Sequence, residues 1–304
     1  MNYKVNILVL NYNGRDLLEQ YLPSIVAAAG FSAHSCRVTL IDNVSSDSSV
    51  EYTKDHFPGV AIVRNGQNNF LCAYNDVVKT LGDDIVIFLN NDIRVAPDFV
   101  DMLLRHFTDD NVFFVAPMVC NMDGTFQGGR SYFKLDRGII KAVIDVEHQA
   151  EYGPNHSIAC GAFKRDIFLA LGGFDEIYLP GIWEESDLCY RGLKAGYQGF
   201  YEPASKIYHQ QSASFTKRFG KNGILRLAHR NMFIFLWKNI SAVRIWASHL
   251  AYLFPRLLFA ALTGRLEFIF GFCGAVLKIP RIWRQRLAQR DAPVVSDIAI
   301  MGIS

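Results

Sequence analysis

Three carboxylates fall within four positions at Glu184, Glu185 and Asp187, directly after Trp183. On a helix Glu184 and Asp187 share a face, while Glu185 points about 100° away from Glu184. An indole beside a carboxylate strips it of water and lifts its pKa towards that of a general base. Acids in a first helical turn also simply complement the helix dipole. Asp187 has an i,i+4 partner in Arg191, which marks it as the structural member of the three. Asp92 follows an apolar run and two asparagines. There it suits one or two positions on Mg2+ or Mn2+, cations that keep waters and substrate phosphates as further ligands. The same residue type also closes turns and caps helices. Asp42 ends another apolar run and either accepts hydrogen bonds from a base or ribose or serves as a turn residue. His209 follows an extended stretch and, taken alone, reads as structural.

The elements that must hold these residues alternate. Apolar runs at 5–10, 38–41, 60–63, 85–89 and 112–116 read as strands. Helical spacing covers 15–29, 70–81 and about 97–107, and Ser45, Ser46 and Asp47 supply caps for a helix to about residue 56. This alternation predicts an α/β fold, a mostly parallel sheet flanked by helices. In such sheets ligands bind beyond the carboxyl ends of the strands, where Asn11, Asn13, Asp42, Asn90, Asn91 and Asp92 gather. No GxxxxGK[ST] or GxGxxG run is present, so an ordinary phosphate-loop or dinucleotide site is poorly supported. A hairpin and variable loop are expected within 117–157, a short helix over 165–171, a helix over 183–195, and an extended stretch over 199–209.

The chain has 304 residues, half of them hydrophobic and 13% aromatic, which excludes disorder as its main state. The net charge of +2 gives no reason to expect a nucleic-acid partner. That sum hides an asymmetry: 1–216 hold 17 Lys and Arg against 26 acids, and 217–290 hold 14 against one. Three of the four tryptophans, Trp237, Trp246 and Trp283, lie in the basic segment. Two jobs are therefore expected, a catalytic domain over 1–216 and a basic, aromatic helical appendage over 217–304. The six cysteines form no CxxC pair and the first residues lack signal-peptide features, so reduced thiols in the cytoplasm are the expectation. The longest stretch of the basic segment without a charge is 245–255, 11 residues, short of the roughly 20 a spanning helix needs. Ile279, Ile282, Trp283 and Leu287 recur at helical spacing among Lys278, Arg281, Arg284 and Arg286. That suits an amphipathic helix in the headgroup plane of an anionic membrane; packing on the core or on a second subunit is the alternative.

Taken in order, LNYNG (10–14), IDNVSSD (41–47), FLNND (88–92), GGFDE (172–176), WEESDLC (183–189) and YEPA (201–204) with His209 form a recognisable set. The chain resembles the inverting family 2 glycosyltransferases, in particular their rhamnosyltransferase-like branch. The resemblance implies a GT-A fold, a Rossmann-like domain for a nucleotide-diphosphosugar donor. It implies that Leu10, Asn11, Tyr12, Asn13 and Asp42 line the nucleotide pocket. Asn91 and Asp92 would meet the donor at the DxD-type position, with Asp92 on Mg2+ or Mn2+ and His209 completing the metal site. Glu185 occupies the catalytic-base position, Glu184 is its fallback, and Trp183 falls on the acceptor side. His229, Arg230 and Asn231 resemble a basic element near the donor phosphates or the acceptor.

Three positions depart from the family pattern: Asn90 opens the DxD-type motif, the base is Glu rather than Asp, and Asn69 replaces a glycine before Phe70. The branch points to rhamnose from a dTDP donor. The acceptor would be a hydroxyl of a glycan or lipid-linked glycan in cell-wall or polysaccharide biosynthesis, with the enzyme peripheral on the cytoplasmic face of the membrane. A nucleotidyltransferase would also want a strand-end carboxylate and metal, but residues 11–15 match its glycine-rich basic loop poorly. A non-catalytic sugar-nucleotide-binding or scaffold protein of the same fold has only the glutamate at 185 in its favour.

Overall fold

The structure, a computed structural model, describes residues 2–210, 214–288 and 295–303. From the amino terminus run β1 (Lys4–Asn11), α1 (Arg15–Phe31), β2 (Ser35–Asp42), α2 (Ser49–His56), β3 (Ala61–Arg64), α3 (Ala73–Thr80) and β4 (Ile85–Asn90). The chain continues through β5 (Ile93–Val95), α4 (Phe99–Leu104), β6 (Val112–Cys120), β7 (Phe126–Gly128), β8 (Ser131–Asp136) and β9 (Ile139–Ile144). Next come β10 (Gly153–Pro154), β11 (Gly161–Lys164), α5 (Arg165–Ala170), α6 (Glu184–Lys194) and β12 (Gln198–His209). Helices α7 (Ser214–Asn239), α8 (Val243–Leu262), α9 (Leu266–Val276), α10 (Ile279–Ala288) and α11 (Asp297–Met301) follow. Two compact units share this chain. One comprises Met1–Ser131, Ile144–Phe174 and Tyr197–Gln211, the other Tyr132–Val143, Asp175–Gly196 and Ser212–Ser304.

The first unit is built on a ten-stranded sheet of order β10-β12-β6-β11-β4-β1-β2-β3, with β5 on β12 and β7 on β6. Strands β3, β2, β1 and β4 are parallel. Val5, Ile7, Leu8 and Val9, and all of 85–89, are buried, as strands covered on both faces require. Strand β11 enters antiparallel between β4 and β6, and β6 and β12 run parallel, so the sheet is mixed beyond β4. A four-residue strand such as Gly161–Lys164 carries no sign of its direction in its sequence. What admits β11 is Gly161, with φ +147: a Cβ there would lie 2.6 Å from the Val115 carbonyl oxygen. Helix α1 buries Leu18, Tyr21, Leu22, Ile25 and Ala28, one stripe at helical spacing. The Gly172-Gly173-Phe174 turn is a packing device. The Asn75 side chain exchanges two 2.8 Å hydrogen bonds with the Phe174 backbone, and a Cβ on Gly173 would come 2.3 Å from Asn75 Oδ1.

The second unit has its own core. Phe133 and Ile140 of the β8–β9 hairpin, Tyr178, Tyr190, and every residue from Met232 to Leu236 are buried together. Helix α7 is broken at Gly220, where φ is +65. Helix α8 runs for 20 residues and is long and apolar enough to cross a membrane by length and composition alone. Within it, the Arg256 guanidinium turns back to donate to the Asp136 and Arg137 carbonyls at 3.0 Å each.

Candidate active site

In the first unit the chain leaves β1 towards β2 and β3, then returns to β4 on the other side of β1. The carboxyl ends of β1 and β4 therefore flank a topological reversal, where α/β sheets open a crevice. Asn11 ends β1 and is fully buried. Its Oδ1 accepts from Asn91 Nδ2 at 2.7 Å, across that reversal. Its Nδ2 faces Ser45 Oγ at 3.1 Å, Ser49 Oγ at 3.0 Å and Asp42 Oδ1 at 3.4 Å. Gly14 permits this cluster, since a Cβ there would lie 2.0 Å from Asn91 Nδ2 and 2.6 Å from Asn11 Oδ1.

The β1 and β2 loops are pinned to each other. Asn13, with φ +48, donates its backbone N–H to Ser45 Oγ at 2.9 Å and accepts from the Ser46 N–H at 2.7 Å. Ser45 and Ser46 thus do not cap α2 as the sequence suggests; Ser48 stands at its N-cap without a side-chain cap bond, while Asp47 accepts from the Ser49 N–H at 3.1 Å and from the first amide of α1 at 3.0 Å. Asp42 is buried and accepts from the Ser45 N–H at 3.2 Å. Leu10 is partly exposed and Tyr12 is exposed.

Asp92 and His209 come together from distant parts of the chain. His209 closes β12 opposite Ile93 of β5, and the Gln210 N–H donates to the Asp92 carbonyl at 3.0 Å. This register brings His209 Nε2 to 3.4 Å from Asp92 Oδ2. His209 Nδ1 lies 3.1 Å from Gln127 Oε1. With Nδ1 as the donor to Gln127, Nε2 would be the ring atom available to a cation shared with Asp92, as in a metal-ligating imidazole oriented by a second partner. Tyr21 donates from its hydroxyl to Gln210 Oε1; burial, then the Asp92 charge, raises its pKa. Among the described residues no group of three or more His, Cys, Asp or Glu is placed to hold a metal. A cation here would have two protein ligands and depend on phosphate and water for the rest.

In the second unit, α6 begins with the sequence-predicted carboxylates. The turn before it is strained, with Ile182 at φ +73 and Trp183 at φ +83, each worth about 1–3 kcal/mol. Helix α7 restrains it: Asn231 Nδ2 faces the carbonyls of Tyr178, Gly181 and Ile182 at 2.7–2.8 Å. Arg230 donates to those of Tyr178 and Leu179 at 3.2 and 2.6 Å. The Trp183 ring packs on Phe235, centroids 4.8 Å apart. Glu184 is 4% exposed, and its Oε2 has no hydrogen-bond partner among the described residues. Burial first, and the Glu185 charge second, raise its pKa well above the ordinary value. Glu185 is more open, and burial raises it to about 7. Asp187 behaves oppositely. Burial pushes it up, but Lys238 and Arg191 outweigh that and hold it far below the usual carboxylate range.

Tyr21, Gln127, Gln210 and Lys238 were not legible as site residues. Gln210 adjoins His209, which was a signal of sorts, but Tyr21 reads as one more apolar residue of the α1 stripe.

Residues 6–168 match the family model described as glycosyl transferase family 2. The chain belongs to glycosyl transferase family 2. This family 2 enzyme is 26% identical over 262 residues to the N-acetylglucosaminyl-diphospho-decaprenol L-rhamnosyltransferase of Mycobacterium tuberculosis, covering 76% of this chain and 83% of that one. It is 23% identical over 226 residues to the O-antigen chain rhamnosyltransferase RfbN of Salmonella typhimurium, covering 71% and 68%. Among solved structures, the mannosyltransferase PcManGT of Pyrobaculum calidifontis, solved with GDP-Man and Mn2+, superposes with a TM-score of 0.55 at 16% identity, covering 95% of this chain and 85% of that one. That likeness shows the GT-A fold. The protein is a glycosyltransferase with relatives in cell-wall and polysaccharide biosynthesis, and the nucleotidyltransferase and scaffold readings give way.

Proposed function

We propose that this glycosyltransferase moves a hexosyl or rhamnosyl residue from a nucleotide-diphosphosugar to a hydroxyl of a glycan or lipid-linked glycan, with inversion at the anomeric carbon. The observation that carries the reading is the Asp92–His209 pair at the carboxyl edge of the sheet, beside the Asn11–Asn91 bond that spans the strand reversal. Leu10, Asn11, Tyr12, Asn13, Asp42 and Asn91 form or brace the donor pocket. Asp92 and His209 hold Mg2+ or Mn2+. One carboxylate and one imidazole suit Mn2+ better, since Mg2+ favours an all-oxygen shell. When bound, the ion offsets the charge that builds on the departing diphosphate.

Glu185 takes the proton of the acceptor hydroxyl. That oxygen forms its bond to the anomeric carbon as the bond from the same carbon to the diphosphate oxygen breaks. A pKa near 7 leaves Glu185 substantially ionised at neutral pH and basic enough to help. Glu184 is buried deeper, and burial together with the Glu185 charge disfavours its ionised form. Trp183 offers an apolar surface on the acceptor side. Residues 1–216 act as the catalytic domain. Residues 217–304 hold the enzyme peripherally at the cytoplasmic face of an anionic membrane. The mycobacterial relative, named for a diphospho-decaprenol substrate, supports a lipid-linked acceptor, and the GDP-Man and Mn2+ of the mannosyltransferase support the donor and metal classes.

The test is a panel of nucleotide-sugars, including dTDP-rhamnose, offered to the purified protein with Mn2+ or Mg2+. The expected result is metal-dependent thermal stabilisation by one donor and transfer giving the opposite anomeric configuration. A retained configuration, or no metal-dependent stabilisation across the panel, overturns the reading.

A further inference from the structure

Within the second unit a cavity of about 760 Å³ opens between α7, α8, α9 and the β8–β9 turn. Its volume lies in the range of about 300–1,000 Å³ typical of ligand sites. The walls are apolar, with Leu225, Phe259 and Phe268 prominent, and Arg137, Arg256 and Arg265 also line it. None of the three arginines is in an ion pair among the described residues. The one acid of the lining is Glu267, which is also the single acid of residues 217–290. Asp136 lies close to Arg137 and Arg256 but is paired with Lys141. The lining therefore carries an excess of positive charge against apolar walls.

Two further features narrow the ligand. Arg256 is held in place by the Asp136 and Arg137 carbonyls, and the Arg265 guanidinium sits 5.1 Å from the centre of the Phe259 ring. Planar cations held this way suit phosphate oxygens. Beside the cavity-lining face of α8 runs a second, exposed face made of Val243, Leu250, Phe254, Leu258 and Leu262 at helical spacing. Its one charged residue is Arg244, at the amino-terminal end of the helix. A ligand with a phosphate head and a chain too long for the cavity could continue along that stripe.

We propose that this cavity binds the prenyl-diphosphate portion of a lipid-linked acceptor, with the diphosphate on Arg256 and Arg265 and the first isoprene units against Leu225, Phe259 and Phe268. This rests on the lipid-linked reading of the acceptor given above.

The probe is farnesyl diphosphate, titrated calorimetrically into the full chain without donor or metal. It should bind at least tenfold more tightly than farnesol or inorganic pyrophosphate. Arg265→Ala and Leu225→Asp, both at exposed positions, should each weaken it at least tenfold with an unchanged melting temperature. Wild-type affinity in either variant, or pyrophosphate binding as tightly as farnesyl diphosphate, overturns the proposal. Displacement of farnesyl diphosphate by phosphatidylglycerol vesicles at equal lipid concentration assigns the cavity to bulk phospholipid and overturns it too. Donor binding and transfer to a short soluble acceptor are read separately, so failure of the glycosyl-transfer reading leaves this result interpretable.

Discussion

Lys238, near the end of α7, donates to both carboxylate oxygens of Asp187 on α6, at 2.8 and 2.9 Å, with both side chains almost wholly buried. Asp187 also accepts from Tyr178, Arg191 and Asn239, each at 2.8 Å, while Lys238 reaches Asp175 at 2.7 Å. The helix that begins with Glu184 and Glu185 is thus fastened to a helix of the basic region. Part of that region's charge is therefore internal. Arg281 reaches Asp175 at 3.3 Å, and Arg286 donates to the Trp237 and Ile240 carbonyls at 2.8 and 2.6 Å. Trp283 stays exposed on the same helix.

Lys238→Met should leave Asp187 buried with too little positive charge. Breaking one side of a buried pair costs about 3–5 kcal/mol, and urea unfolding should register a loss of that order. Lys238→Met with Asp187→Asn should recover part of it. A loss under about 1 kcal/mol in the single variant would mean that Arg191 alone suffices.

Some of this was readable in the residues. The parallel half of the sheet follows from its continuous apolar strands, and the Asp187–Arg191 pair from its i,i+4 spacing. The strand-end asparagines could be placed at a common edge, but not the Asn11–Asn91 bond itself, because 80 residues of chain separate the partners. Lys238 was hidden for the same reason, 51 residues from Asp187. The fold-back of Arg256 onto the Asp136 and Arg137 carbonyls was hidden as well, because about 120 residues of chain separate the partners.

The two glutamates should separate in kinetics. Glu185→Gln removes the proposed base and should lower kcat by about 10²–10⁴-fold while donor affinity persists. The wild-type kcat should rise with pH through an apparent pKa near 7, and the residual rate of Glu185→Gln should lose that limb. Burial and the Glu185 charge raise the Glu184 pKa well above its ordinary value, so Glu184→Gln, which mimics the neutral carboxyl, should change kcat by less than about tenfold. Near-normal turnover in Glu185→Gln would return the role to Glu184.

The same shifts set a stability profile. The folded pKa values of Glu184 and Glu185 lie above the ordinary 4.5, so the folded state binds more protons than the unfolded one above that pH. Their contribution is complete below about pH 4.5; that of Glu185 is lost as pH rises through 7, and that of Glu184 as pH rises through its own raised value. Asp187 is shifted below its ordinary 3.8, so its contribution is present above that pH and is lost as pH falls further. Glu184→Gln with Glu185→Gln should therefore flatten the loss between pH 5 and 8 and be more stable than wild type at pH 8. A parallel pair of curves would show that neither glutamate is shifted.

Metal dependence should track Asp92 and His209. A donor at about 100 times its Kd stabilises a protein by roughly 2.7 kcal/mol, an effect readable in a thermal melt. With Mn2+ present, Asp92→Ala should abolish most of that gain, and His209→Ala should reduce it. Each variant should match wild type when donor is added with EDTA. A full Mn2+-dependent gain in Asp92→Ala would place the cation elsewhere.

The strand-end cluster offers the narrowest steric test. A methyl group on Gly14 would lie 2.0 Å from Asn91 Nδ2, closer than any contact can be, so Asn91 must move and release Asn11 Oδ1. Asn11 would then keep only its serine and Asp42 contacts, and the loops after β1 and β4 would lose the bond that fixes their spacing. Gly14→Ala should weaken donor binding at least tenfold. Gly82→Ala, where an added Cβ meets nothing within 4 Å, should bind donor as wild type does. If Gly14→Ala binds donor normally, the Asn11–Asn91 bond braces the fold without shaping the donor site.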